Sequence, residues 1–236
     1  MIHRLGVFIT GHPVLMILLN LIIVFAFGSG IRKVTIDENI KSMLPKDIAS
    51  RKNLNELEDI YGGSDVFLIA INHEKTVFNP GTLAKVKAIT DSLEAMPEIV
   101  RVSSLSTTNQ IKGEDWGIEV IPFMDDAPET QDVADQIRRR VFEDSTYLDQ
   151  LVSRDARWTV VIAVLDKDTE PMEIYSEVGN LVKIFEGPEQ IHLSGIPVIQ
   201  TIISENIKND LRRLLPLAIA VIIVVLFLSL RTISGV

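Results

Sequence analysis

Histidines and carboxylates are the side chains of this sequence that could carry hydrolytic or metal chemistry, because the chain has no cysteine. The four histidines are His3, His12, His73 and His192. None lies in a predicted helix with a second histidine or a carboxylate at the spacing that metal ligation uses. The lack of cysteine also excludes disulfides, thiolate zinc sites and thiol catalysis. We therefore expect no catalytic residue, no metal, no cofactor and no enzymatic activity.

Two adjacent acidic pairs, Asp125–Asp126 and Glu114–Asp115, fall in segments that we predict to be loops. Acid–base catalysis needs carboxylates in different environments, whereas neighbouring carboxylates in a loop are ordinarily solvated. The run Arg138–Arg140 ends a predicted helix, where cations complement the helix dipole. A lipid-headgroup site is the alternative interpretation of these arginines.

Two further features have structural interpretations. Gly62 and Gly63 precede a predicted strand, whereas a phosphate-binding loop follows a strand and opens a helix, so we interpret them as a turn. Asn20 lies in an apolar segment and could hydrogen-bond another helix, with substrate contact as the alternative.

One segment is long enough and aromatic enough to take part in recognition. Ser106–Pro122 contains Trp116 and is followed by Phe123. Long insertions with aromatic residues often carry recognition, so we expect substrate or partner contact there. Otherwise the substrate-binding residues stay unknown.

The elements that would position these residues form two similar units. Periodicity and cap signals predict a strand, a helix and a strand in each unit, with an insertion at about 106–150 that contains a helix near Glu129–Phe142. The continuous apolar strands indicate sheets covered on both faces. In chain order the other predicted elements are a helix at Ala49–Tyr61, a strand at Val66–Ile71, a helix from Asn79–Pro80 to Pro97, a strand at Ile99–Leu105, a hairpin from Leu151–Val152 through Arg154–Asp155, a strand at Trp158–Leu165, a helix from Thr169–Pro171 to Gly187–Pro188, and a strand at Ile191–Ser194.

This order predicts an α+β domain of the ferredoxin-like, or split βαβ, plan. The sheet would contain antiparallel strands, and both helices would lie on one of its faces. The domain would continue through Ile199, Ile203, Ile207 and Leu211 into an apolar helix without a break.

Two uncharged apolar segments, 13–31 and 214–230, enclose the domain and approach the length that spans a bilayer. For the first, a cleavable signal peptide is the alternative, because Gly28–Gly30 supplies small residues. All 32 acidic residues and most of the 23 basic ones lie between the two segments. That acidic balance argues against nucleic acid as a partner. Long domains translocate largely regardless of charge, so we expect residues 1–12 and 231–236 in the cytoplasm and residues 32–213 outside.

The sequence resembles the resistance-nodulation-division (RND) superfamily of transporters, in particular its lipid-exporter, MMPL-like branch and its sterol-sensing-like branch. The last of the matching segments carries a Gly-x-Pro turn that leads into a helix and then a span. The segments are GHPVLMILL, IDENIKSMLPKD (Ile36–Asp47), YGGSDVFLIAI (Tyr61–Ile71), LVSRDARWTVVIAVL (Leu151–Leu165) and HLSGIPVIQTIISENIKNDLRRLLPLAIAVI (His192–Ile222).

The resemblance implies a proton-driven exporter of hydrophobic or lipid-like molecules in the cell inner membrane. Its halves would each have one span, a large periplasmic domain and five more spans. This chain would be the truncated N-terminal portion, unable to transport alone, with the bilayer, the remaining transporter and a further copy of itself as partners. Two other functions remain open, namely a two-span sensor that binds a ligand outside the cell and a membrane-anchored assembly module.

Overall fold

The computed structural model describes residues 44–230 except 46, 115–116 and 145, together with Leu18, Ile22 and Ala26. The chain divides into two compact units, Met1–Glu38 and Asn39–Val236. Apart from those three residues, which are helical, the predicted first span lies outside the described residues, as do the predicted cytoplasmic segments 1–12 and 231–236.

The first strand–helix–strand unit forms as predicted. Helix α1 (Ala49–Tyr61) ends at Gly62, whose φ of 91° confirms the predicted turn. Strand β1 (Val66–Asn72) and helix α2 (Pro80–Glu94) follow, and then strand β2 (Ile99–Ser103). The Asn79 side chain caps α2 by accepting a hydrogen bond from the backbone N–H of Thr82 at 2.9 Å.

The insertion contains more regular structure than its sequence indicates. Strands β3 (Asn109–Glu114) and β4 (Gly117–Pro122) pair as an antiparallel hairpin, whereas we predicted only one helix in the insertion and a loop at Glu114–Asp115. Glu114 therefore ends a strand, and its assignment to a loop was wrong. Helix α3 (Gln131–Glu143) confirms the predicted helix.

The second unit also follows the prediction. Strand β5 (Trp158–Leu165) leads to helix α4 (Pro171–Ile184) and then to strand β6 (Gln190–Gly195). The predicted hairpin before β5 is present as an antiparallel bridge between Val152 and Thr159.

The four strands outside the hairpin form one antiparallel sheet in the order β2-β5-β1-β6. The α2 crossover carries the chain from β1 to β2 past β5, and the α4 crossover carries it from β5 to β6 past β1. This interleaving of two βαβ units is the split βαβ plan. The fold is therefore α+β, as predicted, and the strands predicted at Val66–Ile71 and Trp158–Leu165 lie side by side in one sheet.

The core lies between this sheet and the helices α2 and α4. Phe67, Ile69 and Ile71 alternate along β1 and are fully buried. Each such side chain contributes about 1.5–3 kcal/mol by burial. The helices supply one apolar stripe each, composed of Leu83, Val86, Ile89 and Leu93 on α2 and of Ile174, Val178 and Val182 on α4.

The opposite face of the sheet is only half-buried among the described residues. Leu68 and Ala70 on β1, and Val160 and Ile162 on β5, have intermediate exposure, whereas Val164 at the end of β5 is only 6% exposed. The prediction that these strands are covered on both faces was therefore wrong for this domain by itself. The continuous apolar run arises because this second face is also apolar.

Helix α5 (Ile196–Leu230) begins immediately after β6 and runs unbroken through 35 residues. Its start depends on Gly195, which has a φ of 120° and whose added Cβ would lie 2.1 Å from the carbonyl oxygen of Val66. The predicted continuity between the domain and segment 214–230 is thus confirmed. Within the described part of the chain, no helix combines the length and the apolar composition that crossing a membrane requires.

Candidate interaction surfaces

Two side chains from outside the hairpin fix its base. Arg140 on α3 donates hydrogen bonds to the carbonyl oxygens of Pro122 at 2.8 Å and of Phe123 at 2.7 Å. The hydroxyl of Tyr147 donates to the carbonyl oxygen of Asn109 at 3.0 Å. Hydrogen bonds from a guanidinium are stronger than neutral ones, so the base of both strands is held to the domain.

One face of the hairpin, here called the hairpin face, consists of Ile111, Ile118 and Val120. These side chains are 65%, 74% and 57% exposed, and Ile111 lies directly opposite Val120. A two-stranded hairpin is marginally stable by itself, and three exposed β-branched residues are the kind of surface that partners cover. The contact role expected of Ser106–Pro122 stays a prediction, and the hairpin face is the exposed apolar part of that segment.

Of the two aromatic residues expected to make contacts, the structure describes only Phe123. Trp116 lies outside the described residues. Phe123 is fully buried and packs edge-on against Tyr147, with 5.2 Å between ring centroids. Its expected contact role was wrong, because its ring belongs to the core.

The three arginines of α3 have separate environments. Arg140 lies in the last turn, as the dipole argument expects, but its guanidinium is engaged by the hairpin carbonyls. Arg138 lies over the ring of Phe142, 5.6 Å from its centroid. Arg139 is exposed. The three do not converge on one headgroup site.

The described histidines do not form a metal site. His73 accepts hydrogen bonds at Nδ1 from the backbone N–H groups of Lys75 and Thr76, which organises a turn after β1. His192 lies beside Trp158, with 5.9 Å between ring centroids. Within the described ranges no group of three potential ligands is close enough to hold a metal ion. His3, His12 and Asn20 lie outside these ranges.

The acidic pairs are likewise not assembled into a site. Asp125 and Asp126 are exposed in a bend, as predicted for a loop. Glu114 lies at the end of β3, and Asp115 lies outside the described residues.

A buried polar cluster that we did not predict connects α2 to the start of β6. The carboxylate of Glu189 accepts a hydrogen bond from the hydroxyl of Thr82 at 2.8 Å and forms an ion pair with Lys85. Its side chain is only 3% exposed. Burial raises the pKa of Glu189, but the hydrogen bonds from Lys85 and Thr82 outweigh it, so this pKa lies below its ordinary value.

The outward side of the four-stranded sheet, here called the open face, is a second candidate surface. Residues paired across neighbouring strands share a face, so the register identifies its members. Apart from Asn72, the members on the two central strands are apolar, and those on the edge strands are polar. The members are Val66, Leu68, Ala70 and Asn72 on β1, Trp158, Val160, Ile162 and Val164 on β5, Arg101 and Ser103 on β2, and Gln190, His192 and Ser194 on β6.

A cavity of about 290 Å³ lies at the Trp158 end of the open face. Ala70 and Val160 form part of its lining, and the segment 149–153 forms its wall. Trp158 is 40% exposed there. The polar residues of its lining are Asp149, Gln150, Ser153 and Thr159. An apolar cavity with a few polar groups is the usual form of a small-molecule site.

The model of the MMPL family matches residues 42–235 of the chain. The match includes every helix and strand from α1 to α5, and therefore both candidate surfaces. None of the curated proteins matches the chain.

Proposed function

The chain belongs to the MMPL family, and on that premise we propose that it is the N-terminal portion of an RND-type membrane exporter of hydrophobic or lipid-like molecules. The observation that carries the proposal is the unbroken helix α5, which joins the ferredoxin-like domain to the apolar segment 214–230. The family match favours a transporter over a two-span sensor or an assembly module.

The exposure pattern of α5 supports a helix that leaves the domain and enters a bilayer. Its first turns pack on the domain through Val198, Thr201 and Ser204, which are all buried. From residue 205 to residue 225 every side chain is exposed. A helix of this length extends about 52 Å, which is enough for both a packed base and a membrane segment.

Both apolar segments would cross the inner membrane, and the domain would lie on its periplasmic side. Energy coupling would come from the proton gradient through spans of the remaining transporter, because neither segment 13–31 nor segment 214–230 contains an ionisable residue. The partners would be the bilayer, the rest of the transporter, a further copy of the chain and a hydrophobic substrate.

Cysteine labelling tests this arrangement, because the natural chain has no cysteine. A membrane-impermeant maleimide should label Lys112→Cys, on the hairpin, in intact spheroplasts. It should label Arg4→Cys and Thr232→Cys only after lysis. Labelling of Arg4→Cys but not Lys112→Cys in intact spheroplasts would reverse the orientation. Equal labelling of all three variants would contradict two spans.

A further inference from the structure

The open face joins three properties that together suit one kind of ligand. We propose that it binds a single amphiphile with an unbranched apolar chain and an anionic head, the head at Arg101 and the chain running over β5 and β1 toward Trp158. The physiological meaning of this site rests on the proposed function, because it would hold the hydrophobic substrate.

The first property is an apolar strip along the two central strands. Leu68 pairs with Ile162, and Ala70 pairs with Val160, so four apolar side chains form a continuous patch. An antiparallel sheet with helices on one face ordinarily presents polar residues on the other. Here the polar members lie on the edge strands and, on the central strands, only at Asn72 beside Trp158, so the strip is shaped for an elongated apolar group.

The second property is the charge on the open face. Arg101 is its only Lys or Arg and is exposed, and none of its members is Asp or Glu. This is unusual for a chain with a net charge of −9. Arg101 lies beside Val164, at the end of the strip opposite Trp158. The charge is therefore complementary to a ligand with one anionic end, because an arginine binds carboxylate or phosphate well.

The third property is the cavity beside Trp158. From the Arg101 row to Trp158 the strip runs about 20 Å along β5 at a strand rise of about 3.4 Å per residue. Val164, beside Arg101, is only 6% exposed, so the accessible part of the strip begins at Ile162. The cavity lies at the far end, where Ala70, Val160 and Trp158 would enclose the end of a chain. A second copy of the sheet would cover the strip too, but it would not need a cation at one end and a cavity at the other.

Quenching of Trp158 fluorescence tests the proposal on the full chain in lipid nanodiscs. The only other tryptophan is Trp116, so the background variant is Trp116→Phe. We expect ω-bromopalmitate to quench Trp158 with a saturable dependence on its concentration. Its methyl ester, which lacks the anionic head, should bind about tenfold more weakly, a factor that corresponds to about 1.4 kcal/mol. Unbrominated palmitate should compete with ω-bromopalmitate without quenching.

Matched variants locate the two ends and the middle of the site. Arg101→Gln should weaken the apparent affinity for the acid about tenfold and leave that for the ester unchanged. The control Arg139→Gln removes an exposed arginine of α3 and should change neither. Leu68→Gln should weaken the affinities for the acid and for the ester alike. Ile118→Gln, on the hairpin face, should weaken neither affinity. Near-ultraviolet circular dichroism checks that Leu68→Gln is folded. If Leu68→Gln is unfolded, the affinities of Arg101→Gln alone test the proposal.

Three results would overturn the proposal. Quenching that rises without saturation would show partition of the acid into the nanodisc lipid rather than binding. Equal affinities of the acid and the ester would remove the role of Arg101. A dimer by light scattering that Leu68→Gln dissociates, without saturable quenching, would assign the open face to a second copy. None of these results depends on membrane topology, so the maleimide labelling judges the proposed function separately.

Discussion

At the scale of single residues, Glu189 has an unusual position for a carboxylate, since its side chain is almost fully buried beside α2. Lys85 and Thr82 compensate for that burial. The hydroxyl of Thr82 itself accepts a hydrogen bond from the side-chain amide of Asn79 at 2.8 Å. A helix cap, a hydroxyl and a carboxylate are thereby connected in one chain of hydrogen bonds, and its members depend on one another.

Replacing Glu189 by Gln should destabilise the domain by about 1–3 kcal/mol at neutral pH, because Lys85 loses its ion-pair partner. Urea unfolding of the full chain in a nonionic detergent measures this difference. Glu177→Gln is the matched control, since Glu177 is exposed on α4, and it should change the free energy of unfolding by less than about 0.5 kcal/mol.

The pH dependence of the same difference follows from the lowered pKa of Glu189. The carboxyl group of Glu189 holds its proton less tightly in the folded state than in the unfolded chain. The carboxylate therefore makes its full contribution to the free energy of unfolding above the unfolded pKa of about 4.3. That contribution is lost as the pH falls through the lower folded pKa. The difference in free energy of unfolding between the natural chain and Glu189→Gln should therefore become smaller below about pH 4. A gap that stays constant to pH 3 would contradict this account.

Sequence signals at this scale were informative only for local contacts. The Asn79 cap and the Gly62 turn act on backbone within a few residues, so their residue types alone indicate them. Thr82 and Glu189 are 107 residues apart, and Arg140 contacts carbonyl groups that any residue provides. Contacts of this kind depend on the completed fold and leave no local pattern.

At the scale of elements, the junction between β6 and α5 depends on a residue without a side chain. Gly195→Ala should cost about 2–3 kcal/mol or more, because a Cβ there meets the Val66 carbonyl oxygen and the φ of 120° is strained for alanine. Thermal unfolding followed by circular dichroism measures the change. Hydrogen exchange should also show faster opening of the first turns of α5.

Gly179→Ala is the control, since Gly179 lies within α4 and an added Cβ has no neighbour within 4 Å. Alanine there should stabilise the helix by about 0.5–1 kcal/mol. Opposite signs for the two substitutions are the expected result. Similar small effects from both would mean that the junction tolerates a side chain.

The elements that the sequence missed or misread have physical reasons. The hairpin combines a short apolar alternation with Lys112, Gly113 and Glu119, which weaken any strand signal, and the hairpin face lacks a core that would demand more apolar residues. The strands β1 and β5 were read as doubly covered because the open face is apolar. Periodicity records which faces are apolar, and it does not record what covers them.

At the scale of the whole molecule, the apolar end of α5 decides how the chain relates to a membrane. Arginine near the centre of a span costs about 2.5–3.5 kcal/mol. The apolar residues of the segment contribute about −0.3 to −0.6 kcal/mol each, so one arginine does not outweigh them. Ile222→Arg combined with Val225→Arg should therefore prevent the segment from crossing. In the Thr232→Cys background, external maleimide should then label the cysteine of intact spheroplasts.

Ile207→Arg is the control, because Ile207 precedes the apolar segment on the same helix. It should leave Thr232→Cys protected until lysis. Protection of Thr232→Cys in both variants would contradict the prediction that segment 214–230 is the span that places this cysteine in the cytoplasm.

Hydropathy alone indicated the two apolar segments, and the order of strands and helices alone indicated the split βαβ plan. The orientation was less accessible, because basic residues lie on both sides of each segment, with Arg212 and Arg213 next to Leu214 on the domain side. Charge counts decide orientation only when they differ clearly, and here they nearly balance.

The interleaved order of the sheet also affects how the protein is made. Strand β1 has both its neighbours, β5 and β6, in the last part of the domain. At synthesis rates of about 5–20 residues per second, about 5–25 s separate the emergence of β1 from that of its partners. During that interval an apolar strand has two unpaired edges, so the nascent domain has its greatest need of chaperone protection before β5 and β6 leave the ribosome.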